Sequence, residues 1–437
     1  MKIRHLLAAP AALAALLAGC SSPADEASDP TTTEADADAD TNTETTAEAA
    51  EPVAEPTAEP VVVGVLYPDL TVAAQFGFAE PLGDLVGPFE AMAADVNANG
   101  GLAGRPVELQ MFQFDLLVDG DAVRACLEAT QDAEVDVVVG LDGVFGDPVT
   151  CVTDQNETLM VALDGMPAEF YDNAEGRLFT LLPSKDEAQR AIAAAFADEL
   201  AAAPFAVFAT IDTGGDYDAV EASLLPELAA RGLEPAVTVV LDADGEVAAS
   251  QIPIEIEQLA AAGVETIIST SGFFATAPFA QALTAAGLDV TWVGSDAGGF
   301  ASDLYASQMG ADQLDGAMAV TVSQLGWSPA GFDEPAAEAA CRERVAGLTG
   351  TPIEADTLET VGAFRACIAF DLLTAAADGS PDDLAAGFGA IGSIDLPTYG
   401  PVTFDGDPTG TSLVRRVTWQ AGCECWTPEG DFFDPFS

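Results

Sequence analysis

Six short stretches of this chain gather carboxylates and aromatic rings at loop-like positions: Tyr67-Pro68-Asp69, Asp142-Gly143-Val144-Phe145, Asp164-Gly165-Met166, Asp212 to Tyr217 with Asp216 beside Tyr217, Gly272-Phe273-Phe274, and Ser295-Asp296. Carboxylates attract a positive charge, and ring faces attract it through their quadrupole. The mixture therefore suits an amine or a quaternary ammonium. Aspartate is also common at turns and helix N-caps, and Phe273 and Phe274 fit core packing equally well.

Catalytic chemistry finds little to work with. The only histidine is His5, inside a segment expected to be removed. Without imidazole, Ser-His-Asp and Cys-His catalysis and His-containing zinc sites are excluded. No nucleophile–base pair or phosphate-cradling glycine loop stands out, so we expect no enzyme, no catalytic residues and no cofactor. Asp242-Ala243-Asp244-Gly245-Glu246 begins like a calcium loop but lacks the later ligands. Cys423-Glu424-Cys425 would close a strained ring as a disulfide. A metal there is the poorer reading, with no histidine and no second Cys-x-Cys.

The six stretches need strands and helices to position them. Val61 to Leu66 is an apolar run of the kind a buried parallel strand requires. From Pro81, the residues Leu82, Leu85, Val86, Phe89, Met92 and Val96 recur at helical spacing until Asn99-Gly100-Gly101 stops them. Val107 to Met111 alternates as a second strand. The pattern repeats with strands at 135–139, 158–163 and 177–183 and a short helix at 147–156. It continues with helices predicted over 186–202, 217–231, 251–262 and 279–286, and strands over 205–209, 236–241, 264–268 and 290–293. Glycine closes most of these helices. Alternation of this length implies a doubly wound parallel sheet, here in two sets. In such sheets ligands bind outside the carboxyl ends of the strands, where the six stretches fall.

The ends have their own chemistry. Lys2, Arg4 and His5 precede the apolar stretch Leu6 to Ala18, too short to span a bilayer. Leu17-Ala18-Gly19-Cys20 resembles a bacterial lipobox, so residues 1–19 are read as a signal peptide and Cys20 as the lipidated residue. Residues 20–60 are Thr, Ala, Glu, Asp and Pro with no basic residue, a disordered acidic tether. No later stretch reads as a membrane span; 191–211 comes nearest and is interrupted by Asp198, Glu199 and Pro204. The formal charge of −59 disfavours nucleic acid and anionic headgroups as partners, and it fits a surface adapted to salt. Past the signal peptide, Lys185 is the sole lysine.

Two motifs name a family. Asp95-Val96-Asn97-Ala98-Asn99-Gly100-Gly101-Leu102-Ala103-Gly104, one helix after the first strand, is similar to the first lobe of type I periplasmic binding proteins. Gly400-Pro401-Val402-Thr403-Phe404-Asp405 resembles the turn that enters their third crossing. The closest subgroup is the leucine/isoleucine/valine-binding lipoproteins that feed ABC importers. The resemblance implies an α/β fold: two doubly wound parallel-sheet lobes joined by a three-crossing hinge. Lobe 1 is expected at 61–180 plus 322–398 and lobe 2 at 181–321 plus 399–437. It implies a monomer, outside the cytoplasm and held to the membrane by the lipid anchor alone, that captures a small amino acid, amide or other amine. The partners are that ligand and an ABC permease, or a receptor where the fold acts as a sensor.

It also implies that Asp142 to Phe145 and Asp164 to Met166 occupy the loops that hold a ligand carboxylate with hydroxyls in amino-acid-binding relatives. Here those loops have none, and Asp142 and Asp164 would repel a carboxylate. Asp296 best matches the second-lobe acid that meets the ligand ammonium. Cys126 and Cys151 fall on neighbouring helices in a region that relatives often bridge. Cys341 and Cys367 make a second plausible pair, which leaves Cys423 with Cys425.

Overall fold

The computed structural model describes residues 58–71, 83–116, 118, 120–211, 216–242, 245–296, 299–302, 309–310, 313–324, 334–355, 357 and 359–437. The expected signal peptide, Cys20, most of the tether, Pro81, Leu82 and Asp212 lie outside them.

The first sheet is built around short strands buried on both faces, with a more exposed strand on its edge. β1 (Val61–Asp69) lies between β2 (Val107–Asp115) and β3 (Val137–Gly140), followed by β4 (Leu159–Ala162) and β5 (Leu178–Thr180), all parallel. The first motif explains how β1 is joined to β2. Helix α1 (Val86–Ala98) ends where Gly101 takes a positive φ of 77°, and a Cβ there would sit 2.0 Å from the Arg105 carbonyl oxygen. Only glycine fits this turn. The Asn97 amide then closes a two-bond ring with Val107, donating to its carbonyl at 2.9 Å and accepting from its N–H at 2.6 Å. Asp95 accepts from Arg344, whose other nitrogen reaches Asp371. The motif is thus a clasp between the helix end, the next strand and two helices from far along the chain.

Those two are α11 (Ala336–Thr349) and α12 (Glu359–Gly379), which pack on α1. Among the described residues α12 is long and apolar enough to cross a membrane, but 72% of its most apolar window is buried. It is a core helix of the first lobe, with Phe364, Ile368, Phe370, Leu372 and Leu373 all buried. The 191–211 stretch divides into the end of α5 (Lys185–Ala195), α6 (Ala197–Ala202) and β6 (Phe205–Ile211). The other helices of the first sheet are α2 (Asp121–Leu127), α3 (Asp147–Thr150) and α4 (Ala168–Ala174); a π turn follows α2 and another follows α3.

The second sheet has the order β12-β11-β10-β9-β8-β6-β7. β6, β7 (Val237–Asp242), β8 (Thr266–Ser269), β9 (Thr291–Ser295) and β10 (Met318–Thr321) are parallel. The sheet is mixed, however: β11 (Val414–Gln420) and β12 (Cys425–Phe433) form an antiparallel hairpin on its edge. A two-residue spacing that would strain a bridge elsewhere falls at this hairpin's tip, and Cys423 and Cys425 are bonded there. Cys126–Cys151 and Cys341–Cys367 are bonded as well. α7 (Asp216–Ala219), α8 (Leu225–Ala230), α9 (Gly245–Ala262) and α10 (Phe273–Ala286) cover this sheet.

The sequence pattern starts α9 and α10 too late, at 251 and 279: α9 opens at Gly245 and α10 at Phe273, and each runs through a proline, Pro253 and Pro278. Phe273 and Phe274 are accordingly the first residues of α10, after the extended Gly272, and not a free loop.

Three strands of chain join the sheets and are hydrogen-bonded to one another. Thr180, at the end of β5, bridges Thr409, and Ser323, beyond β10, bridges Tyr399. The second motif does the stitching: Gly400 N–H donates to Val322, Phe404 and Asp405 N–H to Ile391, and Gly410 N–H to Thr180. Phe404 packs edge-on against Phe179 and Phe388, the latter on α13 (Leu384–Gly389). Buried Leu181, Leu182, Val322 and Tyr399 carry the core along these crossings.

Candidate functional site

The carboxyl ends of both parallel sets, together with the crossings, bring charged residues from several elements into one cluster. Asp142 follows β3. Arg365 reaches it from α12 with two bonds, Nε to Oδ2 at 2.9 Å and Nη2 to Oδ1 at 2.7 Å. This two-pronged geometry is the strong form of the pair. Asp164 follows β4 and takes one bond, from the Gly143 N–H at 3.1 Å. Its other oxygen has no hydrogen bond among the described residues. Burial, then the neighbouring Asp142 charge, pushes its carboxyl up to about 6, against the opposing pull of Gly143, Arg365 and Lys185.

Lys185 opens α5 just after the first crossing. Its ammonium donates to Asp216 at 2.5 Å, and both side chains are nearly inaccessible, at 11% and 7%. The lysine is fixed locally by sequence. Ser184 and Glu187 form a reciprocal cap that starts α5, and the Lys185 N–H donates to the Met166 carbonyl. Gly165 is pressed against this crossing, since a Cβ there would lie 2.0 Å from the Pro183 oxygen.

On the second-sheet side, Asp296 follows β9. Its Oδ2 accepts from the Thr321 hydroxyl at 2.5 Å and the Val322 N–H at 2.7 Å, tying the strand end to the second crossing. Burial raises its carboxyl to about 6 despite these bonds and nearby Arg415. Arg415 donates to the Ser323 carbonyl and lies over the Phe432 ring. Tyr399 lies on the third crossing and is 7% exposed. Burial raises its phenol; Asp142, Asp164 and Asp296 add to this, and Arg365 opposes it.

The expected site residues therefore divide. Asp142, Gly143, Asp164 and Asp296 join the cluster directly, and Asp216 joins through Lys185. Phe145 presents an exposed ring beside it in sequence. Val144 and Met166 are fully buried in the first core, and Gly165 serves the crossing contact. β1 runs on through Tyr67 and Asp69, so these are strand residues. Tyr67 is packed against the core, its phenol raised by burial and by Asp69, and Asp69 caps Thr71. The Tyr217 hydroxyl donates to Glu221 on its own helix. The side chains of Phe273 and Phe274 lie outside the described residues. Arg365, Lys185, Tyr399 and Arg415 were not expected. An arginine within an apolar helix and the lone lysine were the available signals.

Two cavities lie away from the cluster, and the larger, of about 360 Å³, is lined by Tyr171, Leu178, Phe179, Ala385, Gly406 and Pro408. Among the described residues no group of acids, cysteines and histidines could hold a metal.

Residues 60–422 match the periplasmic binding protein family. The chain belongs to it. The type I fold, two α/β lobes with the crossings between them, agrees with solved structures of low sequence identity. One is a branched-chain amino acid transporter substrate-binding protein from Streptococcus pneumoniae in complex with isoleucine, with TM-score 0.61 and 14% identity, covering 86% of this chain and 100% of that one. A fatty acid ABC transporter substrate-binding protein from Thermomonospora curvata gives TM-score 0.61 at 15% identity, covering 88% and 95%. A solute-binding protein from R. palustris in complex with benzoate gives 0.59 at 15%, covering 85% and 96%. No curated protein matches the sequence. The family is one of non-enzymatic solute-binding proteins that work with ABC transporters.

Proposed function

We propose that this periplasmic binding protein is anchored outside the cytoplasm through a lipid on Cys20, captures a small polar ligand between its lobes, and delivers it to an ABC permease. Its ligand is an amino acid, an amide or another amine. The chain acts as a monomer, with lobes drawn from 61–180 plus 322–398 and from 181–321 plus 399–437. Closure about the crossings presents the liganded form to the permease. The ligand contacts are proposed among Asp142, Gly143, Phe145, Asp164, Asp216, Asp296 and the aromatic residues Tyr67, Tyr217, Phe273 and Phe274.

The observation that carries this reading is the charged cluster at the strand ends, supplied from both sheets and from the crossings themselves. A ligand there would touch the segments that must flex for the lobes to close. The test is a thermal-shift panel of amino acids, amides, amines and carboxylates, together with the mass of any co-purifying small molecule. A tight ligand at one hundred times its Kd adds about 2.7 kcal/mol of stability. A panel in which no metabolite shifts unfolding overturns the solute-binding reading. For the anchor, Cys20→Ser should move the protein from the membrane to the soluble fraction.

A further inference from the structure

Among the described residues three disulfides form, and they are not placed alike. Cys126–Cys151 and Cys341–Cys367 each join two helical segments, 25 and 26 residues apart, and all four cysteines are 0–5% exposed. Closing loops of that length removes much of the freedom of the unfolded chain, so both bonds are structural. Cys423–Cys425 spans two residues at the tip of the β11–β12 hairpin. A loop so short restricts the unfolded chain far less. It also joins two residues that the hairpin already holds together.

The hairpin does not need the bond. β11 and β12 pair antiparallel through Thr418 opposite Thr427, Trp419 opposite Trp426 and Gln420 opposite Cys425. The two tryptophan rings pack edge to face with centroids 5.5 Å apart, and both residues are buried in the second core. At the tip, the Cys423 N–H donates to the Gln420 carbonyl and the Glu424 N–H to that of Ala421. The Ala421 N–H donates to the Asp315 carboxylate at 3.0 Å. Glu424 takes a left-handed φ of 53°, the conformation that commonly ends a hairpin loop before the strand resumes. Ladder, ring pair and turn specify the tip between them. The sulfur–sulfur bond can therefore open without unfolding the hairpin.

Access to this bond is one-sided. Cys425 is 1% exposed, as buried as the cysteines of the other two bonds. Cys423 is partly exposed, and its neighbours Gly422 and Glu424 are exposed. A nucleophile arriving from solvent meets Cys423 first. Exposed and tightly closed disulfides are the labile ones, whereas buried bonds resist reduction. We propose that Cys423–Cys425 is a thiol–disulfide exchange site, entered at Cys423 by a dithiol reductant.

The exchange runs in two displacements. A thiolate of the dithiol attacks the Cys423 sulfur, a bond forms between the two, and the Cys423–Cys425 bond breaks. Cys425 leaves as a thiolate and takes up a proton. The second thiolate of the reductant then attacks its own sulfur in the mixed disulfide, and Cys423 leaves as a thiolate and is protonated in turn. The protein disulfide has gained two electrons and two protons, and the dithiol has lost both and become a disulfide. An oxidised partner of the same class restores the bond by the reverse steps.

The experiment treats the folded full chain, without denaturant, with rising dithiothreitol, traps thiols with iodoacetamide and locates them by peptide mass. Cys423 and Cys425 should be labelled together at a reductant concentration at least about tenfold below that which opens either other bond. The double variant Cys423→Ser with Cys425→Ser should lower the unfolding midpoint by less than about 3 °C. Single variants identify the point of entry. The lone thiol of Cys425→Ser should react with a soluble aromatic disulfide at least about tenfold faster than the lone thiol of Cys423→Ser. Opening of all three bonds together, or of Cys423–Cys425 only where the protein unfolds, overturns the exchange site. A larger fall in the midpoint of the double variant overturns it too, because the bond would then be structural. Equal reactivity of the two lone thiols overturns entry at Cys423. None of these outcomes bears on the solute-binding reading, which uses neither cysteine.

Discussion

The two sides of the cleft use their carboxylates in opposite ways. On the second-sheet side Asp216 is closed by Lys185 and Asp296 by the Thr321 hydroxyl and Val322 N–H, so both acids hold structure together. On the first-sheet side Asp142 is also closed, but Asp164 is left half-satisfied beside it. The contrast separates acids that hold the hinge from one that is available to a ligand. In a chain of 72 acidic residues, neither identity nor local charge makes that distinction. Partners do.

Breaking the most deeply buried pair should have the largest effect. Lys185→Met leaves Asp216 without its ammonium at a site where the acid's side chain is 7% exposed. The loss expected is about 3–5 kcal/mol in urea unfolding at neutral pH, because an uncompensated buried charge costs more than the pair contributes. Adding Asp216→Asn should recover much of it. Arg365→Leu should cost somewhat less, about 2–4 kcal/mol, since its partner Asp142 is 39% exposed and part of the penalty is screened. If Arg365→Leu proves silent, the first-sheet acids are not held by that cation and the comparison fails on that side.

Proton linkage comes next in size. Asp164 and Asp296 both have carboxyls raised to about 6, above the ordinary value of 3.8. A group raised on folding stabilises the protein when protonated, so this contribution is present below about pH 4 and is lost as pH rises toward 6. The ligand-free protein should therefore lose stability between about pH 4 and pH 7, by about 1–2 kcal/mol for each acid. Asp121 pulls the other way: hydrogen bonds from Arg124 and Asp115 hold it down to about 2, and its contribution is lost only as pH falls through that value. Stability measured against pH in Asp164→Asn and Asp296→Asn should show each slope flattened. An Asp164→Asn protein more stable than wild type at pH 7, yet unable to hold amines, would mark Asp164 as an acid kept for binding.

Much of the fold was legible because it rests on local rules. The Gly101 turn and the Asn97–Val107 ring are made by residues near one another in sequence, and their types dictate their geometry; the Gly400-to-Gly410 turn was legible as a motif, although its bonds to Val322 and Thr180 reach far along the chain. The site was less legible because its partners come from far away. Arg365 meets Asp142 from 223 residues on, and Thr321 meets Asp296 across a crossing. Reading the strand-end loops found the acids but not their partners. Two aromatic positions went astray for a local reason: the helix was expected from 279, whereas α10 opens at Phe273 and runs through Pro278, so Phe273 and Phe274 were left on a loop. β1 also ran longer than its apolar run, taking Tyr67 and Asp69 into the strand.

The smallest effect tests the comparison most finely, through two tyrosines, Tyr171 partly buried and Tyr399 buried. The Tyr171 hydroxyl is paired with the Thr180 hydroxyl at 2.8 Å and accepts from the Met166 N–H at 3.1 Å, which knits the Asp164 loop to β5. Tyr399 is more enclosed, yet its hydroxyl has no such partner among the described residues. Tyr171→Phe removes bonds and strands a backbone donor, for a cost of about 1–2 kcal/mol. Tyr399→Phe removes a hydroxyl that the unliganded protein does not use, so its unfolding free energy should change by less than about 0.5 kcal/mol, or rise. Equal destabilisation by the two variants would mean that Tyr399 is tied into the crossing as Tyr171 is tied to β5.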